Sequence, residues 1–307
     1  MRRYIIFGLI LTSLLFLFLP GQNYYQTLKI AWREPPVKTI GFSPPAPAKY
    51  PVFLNKEQQP EISAESAIIM DVSSAVAMFQ KNPNEKLSPA STTKIMTAVV
   101  AIENYKLTDI FTVKTLDITG AQMGLRSGEK LTVESLLYGL LINSGNDAAY
   151  TLAENFPGGI EQFVYAMNKK ARELSLFNTR FSNFNGLVEP NHYTTSLDLA
   201  RLAVYALSSE EFAKIVGTSE TTVTDIEKKR YYKLINVNKL LDKNIGVTGI
   251  KTGWTEEAGE CLVASAKRDN RRIITVILKS NDRFGETEKL IEWAYRNHRW
   301  EEVGPGY

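Results

Sequence analysis

Apolar residues follow several different patterns along the chain, and the first of them lies at the N-terminus. A continuous apolar run covers residues 5–19 and follows Arg2 and Arg3, the arrangement of an export signal. The run holds about 15 residues, short of the roughly 17–25 of a spanning helix, although Tyr4 and the flank to Gly21 extend it. Because no small-residue cleavage site follows, we favour an uncleaved anchor over a cleaved signal peptide. Either one implies that the remainder of the chain is exported.

Prolines cluster after this segment. Residues 33–60 hold seven of the 13 prolines in the chain, which predicts an extended linker. From about Ser63 the patterns become those of a globular domain. We therefore divide the chain into an N-terminal signal anchor or signal peptide (1–21), a proline-rich linker (22–60), a globular domain (61–300) and a tail (301–307).

Two periodicities alternate within the globular domain. Short apolar runs bounded by turn residues predict strands, and apolar residues spaced three and four apart predict helices. The predicted strands cover residues 67–72, 75–80, 247–251, 261–266 and 273–278, with a turn at Asp269-Asn270. The predicted helices cover residues 91–104, 132–141, 145–155, 159–174, 196–207, 210–216 and 287–296, with Thr132 and Ser196 as two of the caps. Two strands at the front and three at the back predict one sheet built from both ends of the chain, and the central helices predict a separate lobe.

The amino-acid composition excludes several classes of function and site. Hydrophobic residues make up 44% and charged residues 22%, which is enough for a sizeable core. The net charge of +3 comes without a basic block, which argues against nucleic-acid binding. The single cysteine, Cys261, excludes an intramolecular disulfide and a cysteine zinc site, and its apolar neighbours favour a structural role. Two histidines, His192 and His298, leave little room for a metal site or a Ser-His-Asp triad, so we expect a lysine base.

Three short motifs hold residues suited to nucleophilic catalysis. They are Ser91-Thr-Thr-Lys94 at the start of a predicted helix, Ser144-Gly-Asn146 in a loop, and Lys251-Thr-Gly253 on a predicted strand. A lysine three residues after a serine projects from the same helical face. It can take the hydroxyl proton if burial and a second cation destabilise its ammonium form. By chance the first two motifs are each expected about once in such a chain, and Ser91 alone fits a helix N-cap. Their order and placement favour catalysis.

This order resembles the signature of serine β-lactamases and penicillin-binding proteins. The surrounding sequence is similar to one branch of that group, the low-molecular-mass D-alanyl-D-alanine carboxypeptidases. The similar segments are residues 89–97, 136–149, 167–168, 178–179, 249–253 and 258–259. The resemblance covers approximately residues 60–297 and is highly specific as a set.

The resemblance implies an α/β (α+β) fold of the serine β-lactamase and DD-peptidase type, with an antiparallel five-stranded sheet flanked by helices plus a helical lobe. Residues 61–300 would be the catalytic domain. The enzyme would remove the terminal D-alanine from peptidoglycan pentapeptide stems through an acyl-enzyme, and β-lactam antibiotics would acylate the same serine. No metal and no organic cofactor is implied. The enzyme would act at the extracytoplasmic face of the bacterial cytoplasmic membrane, N-terminally anchored or secreted.

The resemblance also implies a role for each motif residue. The catalytic residues would be Ser91, the acylated nucleophile, Lys94, its base, and Ser144, which transfers protons. The substrate-binding residues would be Asn146, Lys251, Thr252, Gly253 and Trp254. Among these, Thr252 would receive the terminal carboxylate, and the backbone N–H groups of Ser91 and Trp254 would form the oxyanion hole, whose loss typically costs about 10²–10³ in rate.

Two features depart from the family pattern. Val237 stands where some relatives carry an arginine near the substrate carboxylate, so carboxylate recognition beyond Thr252 is open. Many relatives also have a second β-rich domain and a C-terminal amphipathic helix; we expect neither here, and expect the N-terminal anchor to substitute. The alternatives to a carboxypeptidase are a D,D-endopeptidase, a serine β-lactamase and a catalytically idle cell-wall binding module. Retention of the motif residues argues against the last.

Overall fold

The computed structural model describes residues 2–17, 49–114 and 118–302. The chain divides into two compact units, residues 1–46 and 47–307. In the first unit, helix α1 covers Arg2–Leu17 and presents exposed apolar side chains such as Ile5 and Phe7. Within the described ranges, no helix combines the length and the apolar character needed to cross a membrane. The anchor therefore stays a prediction, and residues 18–48 of the predicted anchor and linker lie outside the described residues.

The second unit alternates short strands with helices. Its strands are β1 (Tyr50–Phe53), β2 (Ser66–Asp71), β3 (Ala77–Lys81), β4 (Ile110–Thr112), β5 (Lys130–Thr132), β6 (Glu220–Thr224), β7 (Tyr231–Ile235), β8 (Val247–Thr255), β9 (Gly259–Arg268), β10 (Arg271–Ser280) and β11 (His298–Glu301). Its helices are α2 (Lys94–Asn104), α3 (Val133–Leu141), α4 (Asn146–Glu154), α5 (Gly159–Glu173), α6 (Ser196–Ala206), α7 (Glu210–Val216) and α8 (Arg283–Asn297).

A five-stranded antiparallel sheet in the order β3-β2-β10-β9-β8 confirms the predicted sheet built from both ends of the chain. The two ends meet where β2 pairs with β10, with Ile69 opposite Thr275. The predicted turn between β9 and β10 is also confirmed. Asp269 and Asn270 both have positive φ, 44° and 62°, as a tight type I′ hairpin requires. Strand β8, which carries the Lys-Thr-Gly motif, lies at the edge of the sheet.

Both faces of the sheet are covered. Successive strand residues point to opposite faces, so Ile68 and Met70 enter a large core with the helical lobe, whereas Ala67 and Ile69 enter a smaller one. Helix α6 packs on β2 and β10 from the lobe side, and α8 supplies Leu290 and its neighbours to the smaller core. Burial on both faces explains why β2 reads as a continuous apolar run.

One predicted cap is confirmed and one is wrong. Thr132 caps α3, because its Oγ1 accepts a hydrogen bond from the backbone N–H of Ser135 at 3.1 Å. The cap of α6 is Thr195 and not Ser196: Thr195 has the extended backbone that a cap adopts, and its Oγ1 accepts from the N–H of Asp198 at 3.1 Å. Ser196 is the first helical residue, and its Oγ accepts from the hydroxyl of Ser66 at 2.8 Å.

The sequence does not predict three two-stranded ribbons, β1-β11, β4-β5 and β6-β7. Strand β1 falls inside the predicted linker 22–60, and β11 ends at Glu301, in the predicted tail. An extended linker therefore does not describe residues 50–53, which pair with the end of the chain. Pro51 is tolerated there because the ribbon is only two strands wide and leaves an edge for a residue without an N–H.

Candidate active site

The chain reaches Ser91 through a 3₁₀ turn over Ala90–Thr93, and α2 follows from Lys94. Ala90 has a φ of 46°, a left-handed conformation that is uncommon for a residue with a Cβ. In this described segment neither the turn nor α2 has a side-chain cap. The reading of Ser91 as a helix cap is therefore wrong. Its Oγ lies 2.9 Å from Nζ of Lys94 instead.

Two glycines press against this turn. A Cβ on Gly186, which has a φ of +85°, would lie 1.9 Å from the carbonyl oxygen of Ala90 and 2.9 Å from the nitrogen of Ser91. A Cβ on Gly253 would lie 3.1 Å from the same nitrogen. The Lys-Thr-Gly strand and the 186 loop thus fix the backbone of the nucleophile from two sides. Gly186 belongs to none of the three motifs, so the sequence did not single it out.

Lys94 is fully buried, and its amine reaches three polar side chains. Nζ lies 2.6 Å from Oδ1 of Asn146, 2.9 Å from Oγ of Ser91 and 3.4 Å from Oγ of Ser144. Burial lowers the pKa of Lys94 well below its ordinary value, the charge of Lys251 lowers it further, and Asp147 opposes both. A neutral amine has two N–H donors and one lone pair. If the N–H groups face Asn146 and Ser144, the lone pair faces the hydroxyl of Ser91, which is the arrangement a general base needs.

Lys251 is the second buried lysine. Its Nζ donates to Oγ of Ser144 and to the carbonyl oxygen of Thr252, each at 3.0 Å. Burial lowers the pKa of Lys251 to about 7, with a contribution from the guanidinium of Arg283. Ser144 therefore lies between the two lysine amines. Its backbone has a φ of 59°, and such strain is concentrated at functional sites.

The residues after Ser144 hold the site in place. Nδ2 of Asn146 donates to the carbonyl oxygen of Thr119 at 2.6 Å, which leaves Oδ1 directed at Lys94. The buried carboxylate of Asp147 accepts hydrogen bonds from the backbone N–H groups of Met123, Gly124 and Leu125 at 2.8–3.0 Å. Asp147 was not predicted as a site residue. The signal for it is an acidic residue in the first turn of an apolar, buried helix.

An open cavity of about 570 Å³ lies above these residues. Its lining includes Ser91, Ser144, Asn146, Thr252, Gly253 and Trp254. Lys94 and Lys251 are buried beneath it and hydrogen-bonded to that lining. The structure thus brings together all eight residues that the sequence singles out, while their chemical roles stay predictions.

Arg283 is a cavity residue that the sequence reading missed. It lies in the first turn of α8, and its Nη1 donates to the carbonyl oxygen of Gly253 at 2.9 Å. Val237 lines the same cavity. Some relatives carry an arginine at the position of Val237. In this chain the guanidinium of Arg283 supplies positive charge beside the Lys-Thr-Gly strand. Its distance of 32 positions from Lys251 in the sequence gave no reason to connect the two.

The remaining candidate groups have structural roles. Nδ1 of His192 accepts from the N–H of Ser182 at 2.9 Å, so its Nε2 donates to Oγ1 of Thr93 at 2.9 Å. Burial lowers the pKa of His192 to about 4, so the ring stays neutral. Cys261 is buried, which raises the pKa of its thiol to about 11. Over the described ranges, no group of three or more His, Cys, Asp and Glu residues is arranged to hold a metal ion.

The fold and this site define a serine peptidase of the penicillin-binding type. Residues 54–282 match the D-alanyl-D-alanine carboxypeptidase family. The chain belongs to this family, and the resemblance noted in the sequence is confirmed.

Individual relatives agree. The chain is similar to D-alanyl-D-alanine carboxypeptidase DacF of Bacillus subtilis, with 37% identity over 274 residues that cover 85% of this chain and 69% of DacF. The structure of the Streptomyces K15 DD-transpeptidase superimposes with a TM-score of 0.74 at 31% identity, covering 78% of this chain and all of the other. Penicillin-binding protein D2 of Listeria monocytogenes, solved in a cefotaxime-bound form, gives a TM-score of 0.69 at 28% identity over 78% of this chain and all of that one.

Proposed function

We propose that the enzyme removes the terminal D-alanine from peptidoglycan pentapeptide stems by the following steps. Oγ of Ser91 attacks the carbonyl of the D-Ala-D-Ala bond, and its proton passes to Nζ of Lys94. The proton then reaches the leaving amine of D-alanine through the hydroxyl of Ser144, and the acyl group stays on Ser91 as an ester. Water hydrolyses the ester, with Lys94 taking its proton, and Ser91 is regenerated.

The observation that carries this proposal is the position of the Lys94 amine. It is buried and lies 2.9 Å from Oγ of Ser91, and burial together with the charge of Lys251 lowers its pKa, which favours the neutral amine that a general base requires. Thr252 and Arg283 on the same side of the cavity suit the terminal carboxylate of a D-Ala-D-Ala peptide. We therefore propose Arg283 as the carboxylate contact beyond Thr252 that Val237 does not supply.

Two measurements on the parent and on Ser91→Ala test the proposal. The parent should release D-alanine from a peptide ending Lys-D-Ala-D-Ala and should be labelled by a fluorescent penicillin. Ser91→Ala should do neither, and Lys94→Ala should label very slowly. Ser127→Ala, a change at an exposed serine, is the matched control and should behave as the parent. Labelling of Ser91→Ala at the parent's rate would show that the nucleophile is a different residue.

The same assays separate the carboxypeptidase from a serine β-lactamase. A class A β-lactamase uses a dedicated glutamate to activate the deacylating water. Among the described residues that line the cavity, the acidic one is Glu256, on the rim, while Glu161 and Glu173 lie on α5 outside the lining. We therefore expect a penicilloyl adduct lasting minutes to hours by mass spectrometry. Rapid penicillin turnover without D-alanine release would identify a β-lactamase instead.

The endopeptidase alternative is tested with crosslinked substrates. Purified dimeric muropeptides and pentapeptide monomers should be digested in parallel and the products separated. We expect loss of D-alanine from the monomers and little cleavage of the dimers. Preferential conversion of dimers to monomers would assign the enzyme to D,D-endopeptidase action on the same serine.

We also propose that the N-terminal segment holds the enzyme at the outer face of the cytoplasmic membrane. The support is the apolar, exposed surface of α1 and the two arginines with which it begins. Intact-mass measurement after expression in a bacterium should show the N-terminal segment still present in the membrane fraction. A mature N-terminus between residues 20 and 35 would instead identify a cleaved signal peptide and a released enzyme.

A further inference from the structure

A second cavity, of about 610 Å³, lies beside α5 and shares no lining residue with the active-site cavity in the described part of the chain. Its volume falls within the range of small-molecule sites. One wall is α5, where Tyr165, Asn168 and Arg172 are spaced three and four residues apart and therefore share one helical face. The other wall is formed by residues 179–182 and by Tyr193.

Hydrogen bonds hold the two walls together. Nδ2 of Asn168 donates to the carbonyl oxygen of Phe181 at 2.7 Å, and Oδ1 of Asn168 accepts from the N–H of Phe181 at 3.0 Å. The preceding residue, Arg180, exchanges two backbone hydrogen bonds with Tyr193, at 2.9 and 3.0 Å. Residues paired in this way have neighbouring side chains on one side of the bridge. The cavity is therefore formed in the free protein, which reduces the cost of ordering it around a ligand.

The cavity carries positive charge. Arg172 and Arg180 line it and are exposed, and within the described ranges neither guanidinium has a hydrogen-bond or salt-bridge partner. A third cation, Nζ of Lys86, lies 4.8 Å from the centre of the Tyr193 ring. The lining contains no Asp or Glu among the residues that the structure describes. Because like charges repel, an anion bound between them would be stabilised.

The acidic residues close to this cavity in the chain have other partners. Glu173 follows Arg172 directly, and its carboxylate lies 2.9 Å from the amine of Lys170. Asp198 lies behind Thr179, is 2% exposed and accepts a hydrogen bond from the hydroxyl of Thr179 at 2.9 Å. The two guanidiniums are thus left to a ligand.

Two tyrosine rings indicate the rest of that ligand. The side chain of Tyr165 is 59% exposed, and the hydroxyls of Tyr165 and Tyr193 have no hydrogen-bond partner in the described ranges. A sugar ring can pack its C–H groups on an aromatic face while its hydroxyls bond to the phenolic oxygens. Arginine binds carboxylate and phosphate groups through paired N–H donors. We propose that this cavity binds an acidic carbohydrate, a sugar bearing phosphate or carboxylate groups, with the anion on Arg172 and Arg180 and the sugar on the tyrosines.

Fluorescence anisotropy of labelled oligosaccharides with the full chain in detergent tests the site. The probes are a galacturonate hexamer, a phosphorylated mannose hexamer, a neutral maltose-type hexamer and inorganic polyphosphate. At least one acidic hexamer should bind saturably and at least about tenfold more tightly than the neutral one, and the tighter of the two identifies the anion as carboxylate or phosphate. Binding of neither acidic hexamer would overturn the proposal. Polyphosphate binding as tight as that of the better hexamer would overturn the carbohydrate assignment.

Substitutions locate the binding. Arg172→Gln and Arg180→Gln should each weaken the acidic hexamer by about tenfold while penicillin labelling keeps the parent's rate. Arg126→Gln makes the same change of charge at an exposed arginine outside the lining and should bind as the parent. Equal affinity in the three variants would overturn the site.

The aromatic contact has its own pair of variants. Tyr165→Ala should weaken the hexamer by about threefold to tenfold. Tyr231→Ala, at a tyrosine that is 68% exposed and lies outside the lining, should not weaken it. The same affinity in both would overturn the role of the rings. Binding here does not require the reaction at Ser91, so Ser91→Ala should bind as the parent. Loss of binding in Ser91→Ala would place the ligand in the active-site cavity and overturn the proposal.

Discussion

Oδ1 of Asn146 lies 2.6 Å from Nζ of Lys94, nearer than the hydroxyl of the serine that Lys94 is proposed to deprotonate, at 2.9 Å. An amide oxygen orients the amine without adding a full negative charge. A carboxylate at the same point would stabilise the ammonium form and raise the pKa of Lys94. The identity of residue 146 therefore decides whether the lysine is available as a base.

Asn146→Asp tests this relationship directly. We expect penicillin acylation at pH 7 to fall by about ten- to a hundredfold, because each unit of pKa raised above the working pH removes about tenfold of the neutral amine. Acylation should partly recover as the pH is raised. The measurement is the pseudo-first-order labelling rate from pH 6 to 10. Asn104→Asp, at the far end of α2, is the control and should keep the pH profile of the parent. A parent-like pH profile for Asn146→Asp would mean that the amide has no influence on the pKa of Lys94.

Gly186→Ala tests the packing behind the nucleophile. The new Cβ would overlap the carbonyl oxygen of Ala90 at 1.9 Å, so the turn before Ser91 has to shift. We expect acylation to slow by at least about a hundredfold, since misplacement by 1 Å has effects of this size.

The control is Gly128→Ala. Gly128 has nearly the same positive φ, +81°, but a Cβ there would have no atom within 4 Å. Both substitutions carry the strain of an alanine in the left-handed region, and only one displaces the nucleophile. The labelling rate and the melting temperature of each variant, measured side by side, separate loss of stability through backbone strain from displacement of Ser91. Equal rates in both variants would mean that the 186 loop does not position Ser91.

Local patterns predicted most of the central fold. The hairpin β2-β3, the hairpin β9-β10 and the central helices have clear periodicities because each buries one or two complete faces. The ribbons β4-β5 and β6-β7 were missed because strands of three to five residues bury too few side chains to give a pattern. Strand β1 was missed for a different reason: its partner lies about 250 residues further along the chain, and Pro51 suggested a linker.

The site divides in a similar way. The three motifs mark residues whose chemical type is itself informative, and the structure brings them together. The other three residues have no local sequence signature. Gly186 allows a close approach to the backbone of Ala90, Asp147 accepts hydrogen bonds from backbone N–H groups, and Arg283 brings a guanidinium from a distant part of the chain. Such residues become visible only when the fold fixes their neighbours.

Asp147→Asn should destabilise the loop that borders the cavity. The carboxylate accepts from three successive backbone N–H groups, and an amide cannot accept all of them with both terminal atoms. The loss of buried hydrogen bonds to a charged group should lower the free energy of unfolding by about 2–3 kcal/mol. Urea denaturation measures it. Asp109→Asn, an exposed acceptor of one backbone N–H, is the control and should change stability far less. A stability equal to the parent would show that these N–H groups find other partners.

Lys251→Met should show that the buried lysine lowers the stability of the folded enzyme at neutral pH and is nevertheless needed for acylation. In the folded enzyme the pKa of Lys251 is lowered from 10.5 to about 7, so the folded state resists protonation that the unfolded chain accepts. The parent therefore loses stability relative to Lys251→Met as the pH falls from about 10 to 7, because the unfolded state binds more protons over this range. Melting temperatures of both proteins across that range should show a difference that grows in favour of the variant toward neutral pH, while penicillin acylation of the variant falls.

Lys267→Met, at an exposed position of β9, is the control and should show no such trend. A difference between parent and Lys251→Met that stays constant with pH would mean that folding does not lower the pKa of Lys251.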